Sequence, residues 1–257
     1  MFDKLKLYSR ILGEGQPLLI VHGLFGMSDN WQSLAKRYAD YFEVHLIDQR
    51  NHGRSPHADE FSYLHLSNDL HQYIIDNQLN DVVIIGHSLG GKTAMQFAVS
   101  YPELLSKLII VDISPRFYPI HHDKIIEGLK MLDFSILKSR SQADVVLSEY
   151  IEQGDVRQFL LKSMYWKEKG QLDFRFNLKS ISQNIANVGE ALNNEANCSI
   201  PTLFIKGGNS NYINDDDEDL IFKHFTNAEI QTVVQVGHWL HAEKPQEFFE
   251  MTIRFCL

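Results

Sequence analysis

Short, unbroken runs of apolar residues recur along the chain, and most are followed directly by glycine or by polar residues. A run of about 4–8 apolar residues without polar alternation is typical of a strand that is buried on both faces of a parallel sheet. Stretches with helical periodicity separate these runs in the first half of the chain. The order predicts alternating strands and helices, and hence a mostly parallel sheet with helices on both faces.

The predicted strands are a half-exposed one at residues 4–11 and buried ones at 18–21, 44–47, 82–85, 107–112, 201–206 and 230–236. The predicted helices around this sheet cover residues 28–41, 62–79, 217–225 and 244–257, and one more begins at residue 92. Ser28 precedes the first helix and is a favoured N-cap residue, so we predict that its side chain caps that helix.

The regular alternation stops between residues 114 and 197. This segment has several short helical patterns and no run that resembles a core strand, with the patterns at 124–132, 142–151, 156–165 and 178–192. A chain of 257 residues is long enough for one large domain with an insertion. We expect residues 1–113 and 198–257 to form one α/β core, and residues 114–197 to form a helical lid inserted into it.

Composition excludes several classes of function. With 24 basic and 33 acidic residues the net charge is −9, which argues against a nucleic-acid partner. No apolar stretch reaches the ~18 residues of a membrane span, and the N-terminal residues lack the apolar segment of a secretory signal. Cys198 and Cys256 have neither disulfide nor metal-ligand spacing, which predicts buried thiols and no metal site. The chain is predicted to be cytoplasmic, without a membrane span.

The strongest chemical signal follows the strand predicted at residues 82–85. There the sequence Gly-His-Ser-Leu-Gly-Gly leads directly into a helical pattern. A serine at so tight a strand–helix turn has a strained backbone, and small residues two before and two after it prevent a clash between strand and helix. Its hydroxyl is exposed above the first amides of a helix, where developing negative charge is favoured. Ser88 is the predicted nucleophile, and His87 within the turn is predicted to be structural.

A serine nucleophile needs an imidazole base, and the base needs an acceptor that fixes its tautomer. His238 directly follows the last predicted strand, where the sheet presents its carboxyl edge, and is the predicted base. His241 is the alternative base. Asp112 ends the strand after the nucleophile turn and is the favoured acid, so the chain order is serine, aspartate, histidine.

The acid has competing candidates. Many chains of this architecture carry it just after the strand predicted at residues 201–206, but here that strand is followed by Gly-Gly-Asn-Ser. The first carboxylates beyond that loop are those of Asp215, Asp216 and Asp217. Asp112 is favoured over all three because it lies one strand nearer to the nucleophile.

An oxyanion hole is predicted from two backbone amides. Residues 22–26, His-Gly-Leu-Phe-Gly, follow a buried strand, and a loop bracketed by glycines can bring an N–H close to a substrate. Leu24 is the first candidate donor and Phe25 the next, while Leu89, directly after Ser88, gives the second N–H. In the polar loop at 48–56, Asp48, Arg50 and His52 are interpreted as hydrogen-bonding residues that fix the loop.

Taken together, these motifs resemble the YbfF-type esterases of the α/β-hydrolase superfamily. The resemblance rests on the segments at residues 22–26, 48–55, 86–92, 111–115, 207–212 and 237–245. It covers nearly the whole core, whereas the lid matches least. It implies an α/β-hydrolase fold, an acid at Asp112 of the Val-Asp-Ile-Ser-Pro motif, and hydrolysis of acyl esters or thioesters without a cofactor.

The leading functional prediction is a serine ester hydrolase that acts on a small-molecule acyl ester through Ser88, Asp112 and His238. The alternatives are an acyl-CoA thioesterase or a C–C bond hydrolase with the same triad, and, from another class, a non-catalytic binding protein on this fold. The lid is rich in large apolar side chains, some of which are expected to line an acyl pocket over Ser88. It also has eleven basic and eleven acidic residues, so it is less acidic than the core, which would suit a substrate carried on an anionic group.

Overall fold

The computed structural model describes residues 5–257. Its strands are β1 (Ser9–Leu12), β2 (Pro17–Val21), β3 (Glu43–Ile47), β4 (Val82–His87), β5 (Leu105–Val111), β6 (Met164–Glu168), β7 (Gln171–Phe174), β8 (Thr202–Gly207) and β9 (Ala228–Val233). Its α-helices are α1 (Gln32–Tyr38), α2 (Tyr63–Asp76), α3 (Leu89–Ser100), α4 (Asp123–Lys130), α5 (Arg140–Ser148), α6 (Gly154–Lys162), α7 (Leu178–Gln183), α8 (Ile185–Val188), α9 (Glu218–His224), α10 (Leu240–Glu243) and α11 (Pro245–Cys256).

The main sheet has the strand order β1-β3-β2-β4-β5-β8-β9. Only the edge strand β1 runs antiparallel to its neighbour, and the other neighbouring pairs are parallel. Parallel strands end at the same edge of a sheet, so the loops after β2, β4, β5, β8 and β9 meet there. The predicted fold class, a mostly parallel sheet with helices on both faces, is confirmed.

The sheet has an apolar core on each face, because successive side chains of a strand point to opposite sides. On one face Ile84 of β4 belongs to a buried cluster with Leu70 of α2 and Phe97 of α3. On the other face Val83 belongs to a cluster with side chains of α1 and α11, among them Phe248. The unbroken apolar runs in the sequence reflect this double burial.

The segment between β5 and β8, which is called the lid below, contains α4 to α8, but it is not wholly helical. Helix α6 ends at Lys162, and β6 and β7 form an antiparallel hairpin where residues up to 165 were predicted to be helical. Gly170 at the hairpin turn has φ of 82°, a conformation that favours glycine. The predicted helix at 178–192 is instead two short helices with a break at Asn184, whose side chain bonds to the Ser180 carbonyl.

Two further local predictions need correction. Ser28 does not cap a helix: it lies inside a 3₁₀ turn, Ser28–Trp31, and its amide donates to Asp48 Oδ1 over 2.6 Å. The α-helix begins only at Gln32. The half-exposed strand is observed at Ser9–Leu12, and residue 4, where its prediction began, lies outside the described residues.

A buried lysine joins the lid to the core. Lys92, on α3, donates from Nζ to the carbonyl oxygens of Arg116 at 2.5 Å, Glu190 at 2.7 Å and Pro115 at 3.2 Å. Burial lowers the pKa of this ammonium group to about 7. Pro115 and Arg116 begin the insertion and Glu190 lies near its end, so one side chain ties both ends of the lid to the helix that follows Ser88.

The predictions about the two cysteines and about membrane spans can be compared with the structure. Cys198 and Cys256 are both buried and free, as predicted. Within residues 5–257, none of the helices combines the length and the apolar character that crossing a bilayer requires.

Candidate active site

Ser88 lies at a sharp turn between β4 and α3. Its φ of 53° and ψ of −116° are a strained combination for a residue with a side chain. A Cβ on Gly86 would come 2.4 Å from the Gly90 carbonyl oxygen, and one on Gly90 would come 2.2 Å from the carbonyl oxygen of Val21. Both positions therefore require glycine. The Ser88 side chain remains partly exposed in a cleft between core and lid.

Asp112 and His238 are in direct contact, although 126 residues separate them in the sequence. Nδ1 of His238 is 2.7 Å from Oδ2 of Asp112, which is fully buried. The other carboxylate oxygen accepts the Gly207 N–H over 3.0 Å. Asp112 cannot donate as a carboxylate, so His238 carries its proton on Nδ1, and Nε2 is left as a proton acceptor.

Ser88 and His238 line the same cleft, and the rings of His87 and His238 are 4.6 Å apart. Within the described residues no hydrogen bond joins the Ser88 hydroxyl to His238. Such catalytic hydrogen bonds are often long in free enzymes and shorten when substrate binds. Nε2 of His87 donates to the His238 carbonyl oxygen over 2.9 Å, and burial holds the pKa of His87 well below the ordinary histidine value. His87 supports the loop of His238.

The alternative acids and base occupy other environments. Asp215 forms an exposed ion pair with Lys206, and Asp216 is exposed. Asp217 is buried, but it pairs with Arg116 over 3.0 Å. His241 is buried and stacks on an indole ring, and burial lowers its pKa to about 3. Among the described residues, none of these four is hydrogen-bonded to His238 or Ser88.

The predicted oxyanion donors differ in whether their backbone N–H is already hydrogen-bonded within the protein. The Phe25 N–H already donates to Nε2 of His52 over 3.1 Å, so Phe25 does not point its amide at a substrate. The Leu24 amide has no acceptor within the described residues, and Leu24 lines the cleft. Leu89 is the first residue of α3, where backbone N–H groups lack intrahelical partners. Leu24 and Leu89 are therefore the available pair.

The polar loop after β3 has the structural role that the sequence suggested. Asp48 accepts the backbone N–H groups of Ser28 at 2.6 Å and Arg54 at 2.8 Å. Arg50 forms a buried, bidentate pair with Asp69, at 2.6 and 2.8 Å. His52 is buried, and burial lowers its pKa to about 3, so it remains neutral and can accept the Phe25 amide.

Sequence reasoning missed several residues around His238. Tyr212 stacks on the His238 ring, with centroids 3.9 Å apart, and its hydroxyl is 2.8 Å from Nε2 of His121. The Ser210 hydroxyl donates to Oδ2 of Asp112. Both belong to the segment at residues 207–212 that carries part of the resemblance, which was the only available signal. Their contacts depend on a loop conformation that the sequence pattern does not define.

The cleft over Ser88 is mostly apolar. Among the large apolar side chains of the lid, Phe159 and Tyr118 line the cleft, whereas Phe117, Met131 and Trp166 are exposed. None of the lining residues within 5–257 is lysine or arginine. The basic residues of the lid therefore do not form a cationic roof over the nucleophile.

Comparison with known proteins identifies the family. A family model described as an alpha/beta hydrolase fold matches residues 16–135. A putative esterase/lipase of Haemophilus influenzae is 39% identical over 93% of this chain and 82% of that protein. Esterase YbfF of Escherichia coli is 32% identical over 93% of this chain and 92% of its own length. The chain belongs to the α/β-hydrolase fold family. Its resemblance to YbfF-type esterases is confirmed.

Two further proteins that are similar to this α/β hydrolase are named as a lipase and as an esterase. The sn-1-specific diacylglycerol lipase ABHD11 of Danio rerio is 36% identical, with 95% of this chain and 79% of that protein covered. Among solved structures, a marine microorganism esterase superimposes with a TM-score of 0.95 at 45% identity, and the match covers 98% of this chain and 100% of the other. The relatives named here are esterases and lipases, and the chain is an esterase-type α/β hydrolase.

Proposed function

We propose that the protein hydrolyses acyl esters through an acyl-enzyme intermediate. Ser88 is the nucleophile, His238 the general base and acid, and Asp112 the residue that orients His238. The Leu24 and Leu89 amides bind the oxyanion. The observation that carries this proposal is the 2.7 Å contact between Asp112 and His238 beside the cleft of Ser88.

The reaction has two steps, and in each of them His238 first takes up a proton and then gives it back. In the first, Ser88 Oγ bonds to the acyl carbon while its proton passes to Nε2 of His238. The bond to the alcohol oxygen then breaks, and His238 returns the proton to that oxygen. In the second, a water molecule gives its proton to His238 and attacks the acyl carbon, and Ser88 recovers the proton as the carboxylic acid leaves.

A thioesterase or a C–C bond hydrolase would use the same residues, since only the leaving atom differs. Within residues 5–257, no lysine or arginine lines the cleft. The lining therefore gives no support to a coenzyme A substrate bound through its phosphates. A non-catalytic binding protein is disfavoured by the strained Ser88 backbone, because strain of this kind is costly and serves to expose a nucleophile.

A fluorophosphonate probe tests the proposal, because it reacts with a serine that an adjacent imidazole activates. Folded protein is expected to be labelled at Ser88, and Ser88→Ala is expected to lose both labelling and hydrolysis of short acyl esters. Parallel assays with an ester and a thioester of the same acyl group would separate the two hydrolase classes. A folded protein that is neither labelled nor active would instead favour the binding protein.

A further inference from the structure

The cleft above Ser88 divides into two branches of different size. The enclosed branch has a volume of about 30 Å³ and is bounded by apolar and aromatic side chains, chiefly Tyr63, Ile113, Tyr118, Ile185 and Val188. The wide branch has a volume of about 330 Å³ and is bounded chiefly by Ile125, Val156, Phe159, Leu160 and Trp239. Ser88 and Leu24 line both branches, so an ester whose carbonyl lies at Ser88 extends one half into each.

The position of His238 makes the two branches chemically different. His238 lines the wide branch and is not among the residues that bound the enclosed branch. Tyr212, His121 and His122 line both branches. The imidazole that Asp112 positions therefore faces the wide branch.

The chemistry of ester cleavage determines which half of the ester lies in which branch. When the bond between the acyl carbon and the alcohol oxygen breaks, that oxygen takes a proton from His238, so it must lie beside the imidazole. The rest of the alcohol then continues into the branch that His238 lines. We propose that the alcohol half of the substrate occupies the wide branch and that the acyl half occupies the enclosed branch. This assignment rests on the proposed function.

The volumes then define a substrate class. The enclosed branch has about one tenth of the volume of the wide branch, so it accepts the smaller half of the ester, an acyl group about the size of acetyl or propionyl. The wide branch accepts an apolar alcohol of many more atoms. The preferred substrates are short-chain acyl esters of larger apolar alcohols, and long acyl chains do not fit without movement of the lid.

One valine in each branch offers a matched pair of substitutions. Val188 lines the enclosed branch and Val156 the wide branch, and both side chains are half-buried. The backbone at Val188 is anchored, because its carbonyl oxygen accepts the Tyr63 hydroxyl over 2.7 Å. Truncation of either side chain to alanine enlarges one branch without removing a hydrogen bond.

Two isomeric esters, hexyl acetate and methyl heptanoate, test the assignment on the intact protein, because they contain the same atoms with the long chain on opposite sides of the ester. We expect kcat/KM to be at least about tenfold higher for hexyl acetate, since only this isomer can bury its chain in the available space. An equal or higher kcat/KM for methyl heptanoate would overturn the assignment.

The variants give a second, independent readout. Val188→Ala is expected to raise the ratio of kcat/KM for hexyl butanoate over hexyl acetate several-fold, whereas Val156→Ala leaves that ratio unchanged and alters the preference between alcohols. If Val156→Ala rather than Val188→Ala changed the acyl preference, the branches would be assigned the wrong way round. Failure of the proposed function has a different signature: no ester is hydrolysed, and the fluorophosphonate probe does not label Ser88.

Discussion

The backbone N–H of Phe25 donates a hydrogen bond of 3.1 Å to Nε2 of His52. His52 is in turn fixed by its other ring nitrogen, which donates to the Arg50 carbonyl oxygen over 2.9 Å. The loop after β2 is therefore held by the loop after β3. The Phe25 amide is hydrogen-bonded, while the neighbouring Leu24 amide has no acceptor in the part of the chain that the structure describes. A buried, neutral histidine thus leaves the Leu24 amide, and not that of Phe25, available for the oxyanion role proposed above.

Replacement of His52 by leucine should impair catalysis through this loop. The substitution leaves the Phe25 N–H and the Arg50 carbonyl unpaired in a buried place, which costs about 1–3 kcal/mol of stability for each group. Because the oxyanion develops on the way to the tetrahedral intermediate and is absent from the bound ester, we expect a loss of about 10²-fold in kcat with little change in KM. Steady-state kinetics on a short acyl ester measures both. His57→Leu, at an exposed position of the same loop, is the control and should retain wild-type values.

Asp112→Asn should leave the fold intact and lower kcat by about 10⁴-fold, because an amide no longer holds His238 in the tautomer that leaves Nε2 free. Stopped assays on the purified variant, together with its unfolding curve, distinguish lost orientation from lost folding. Asp215→Asn removes an equivalent carboxylate from an exposed ion pair with Lys206 and should have no effect on kcat. Equal losses in the two variants would contradict the role proposed for Asp112.

The sequence predicted the sheet and the chain order of the site because both depend on local patterns: double burial gives apolar runs, and a tight turn needs glycine on each side of Ser88. It did not predict the hairpin of the lid. Tyr165 and Trp166 of β6 lie in a short, half-exposed stretch that fits helical periodicity equally well. The stacking of Tyr212 on His238 also escaped prediction, because it depends on how two loops approach each other.

Gly86→Ala should abolish activity by displacing the nucleophile turn. The added methyl group would meet the carbonyl oxygen of Gly90 at 2.4 Å, so the strand and the helix must separate, and we expect a loss of stability of several kcal/mol. Chemical denaturation and ester hydrolysis measure the two effects. Gly154→Ala is the matched control: its nearest neighbour atom is 3.7 Å away, so the substitution should be neutral or slightly stabilising.

Stability should fall as the pH is lowered below about 6.5. Burial lowers the pKa of His22 to about 4 and that of His241 to about 3. In the unfolded chain these residues take up protons near their ordinary value of 6.5, whereas in the folded protein they do not. Each therefore reduces the free energy of unfolding by about 1.4 kcal/mol per pH unit below 6.5, until its folded-state pKa is reached.

His241→Phe tests this pH dependence with little disturbance to the packing. The ring of His241 stacks on Trp31 at 4.0 Å, and its Nδ1 is buried without a hydrogen-bond partner within the described residues. Between pH 6.5 and 4, the free energy of unfolding of the variant should depend on pH less steeply than that of the wild type, by about 1.4 kcal/mol per pH unit. An unaltered slope would show that His241 is not held neutral by the fold.

Lys92 has a consequence for how substrate reaches the cleft. Its ammonium group binds the first and the last part of the insertion to the helix that Ser88 precedes. The lid therefore cannot move away from the core at residues 115, 116 and 190 without breaking all three of these hydrogen bonds. We therefore expect any movement of the lid that admits substrate to occur farther out along the insertion, away from residues 115, 116 and 190.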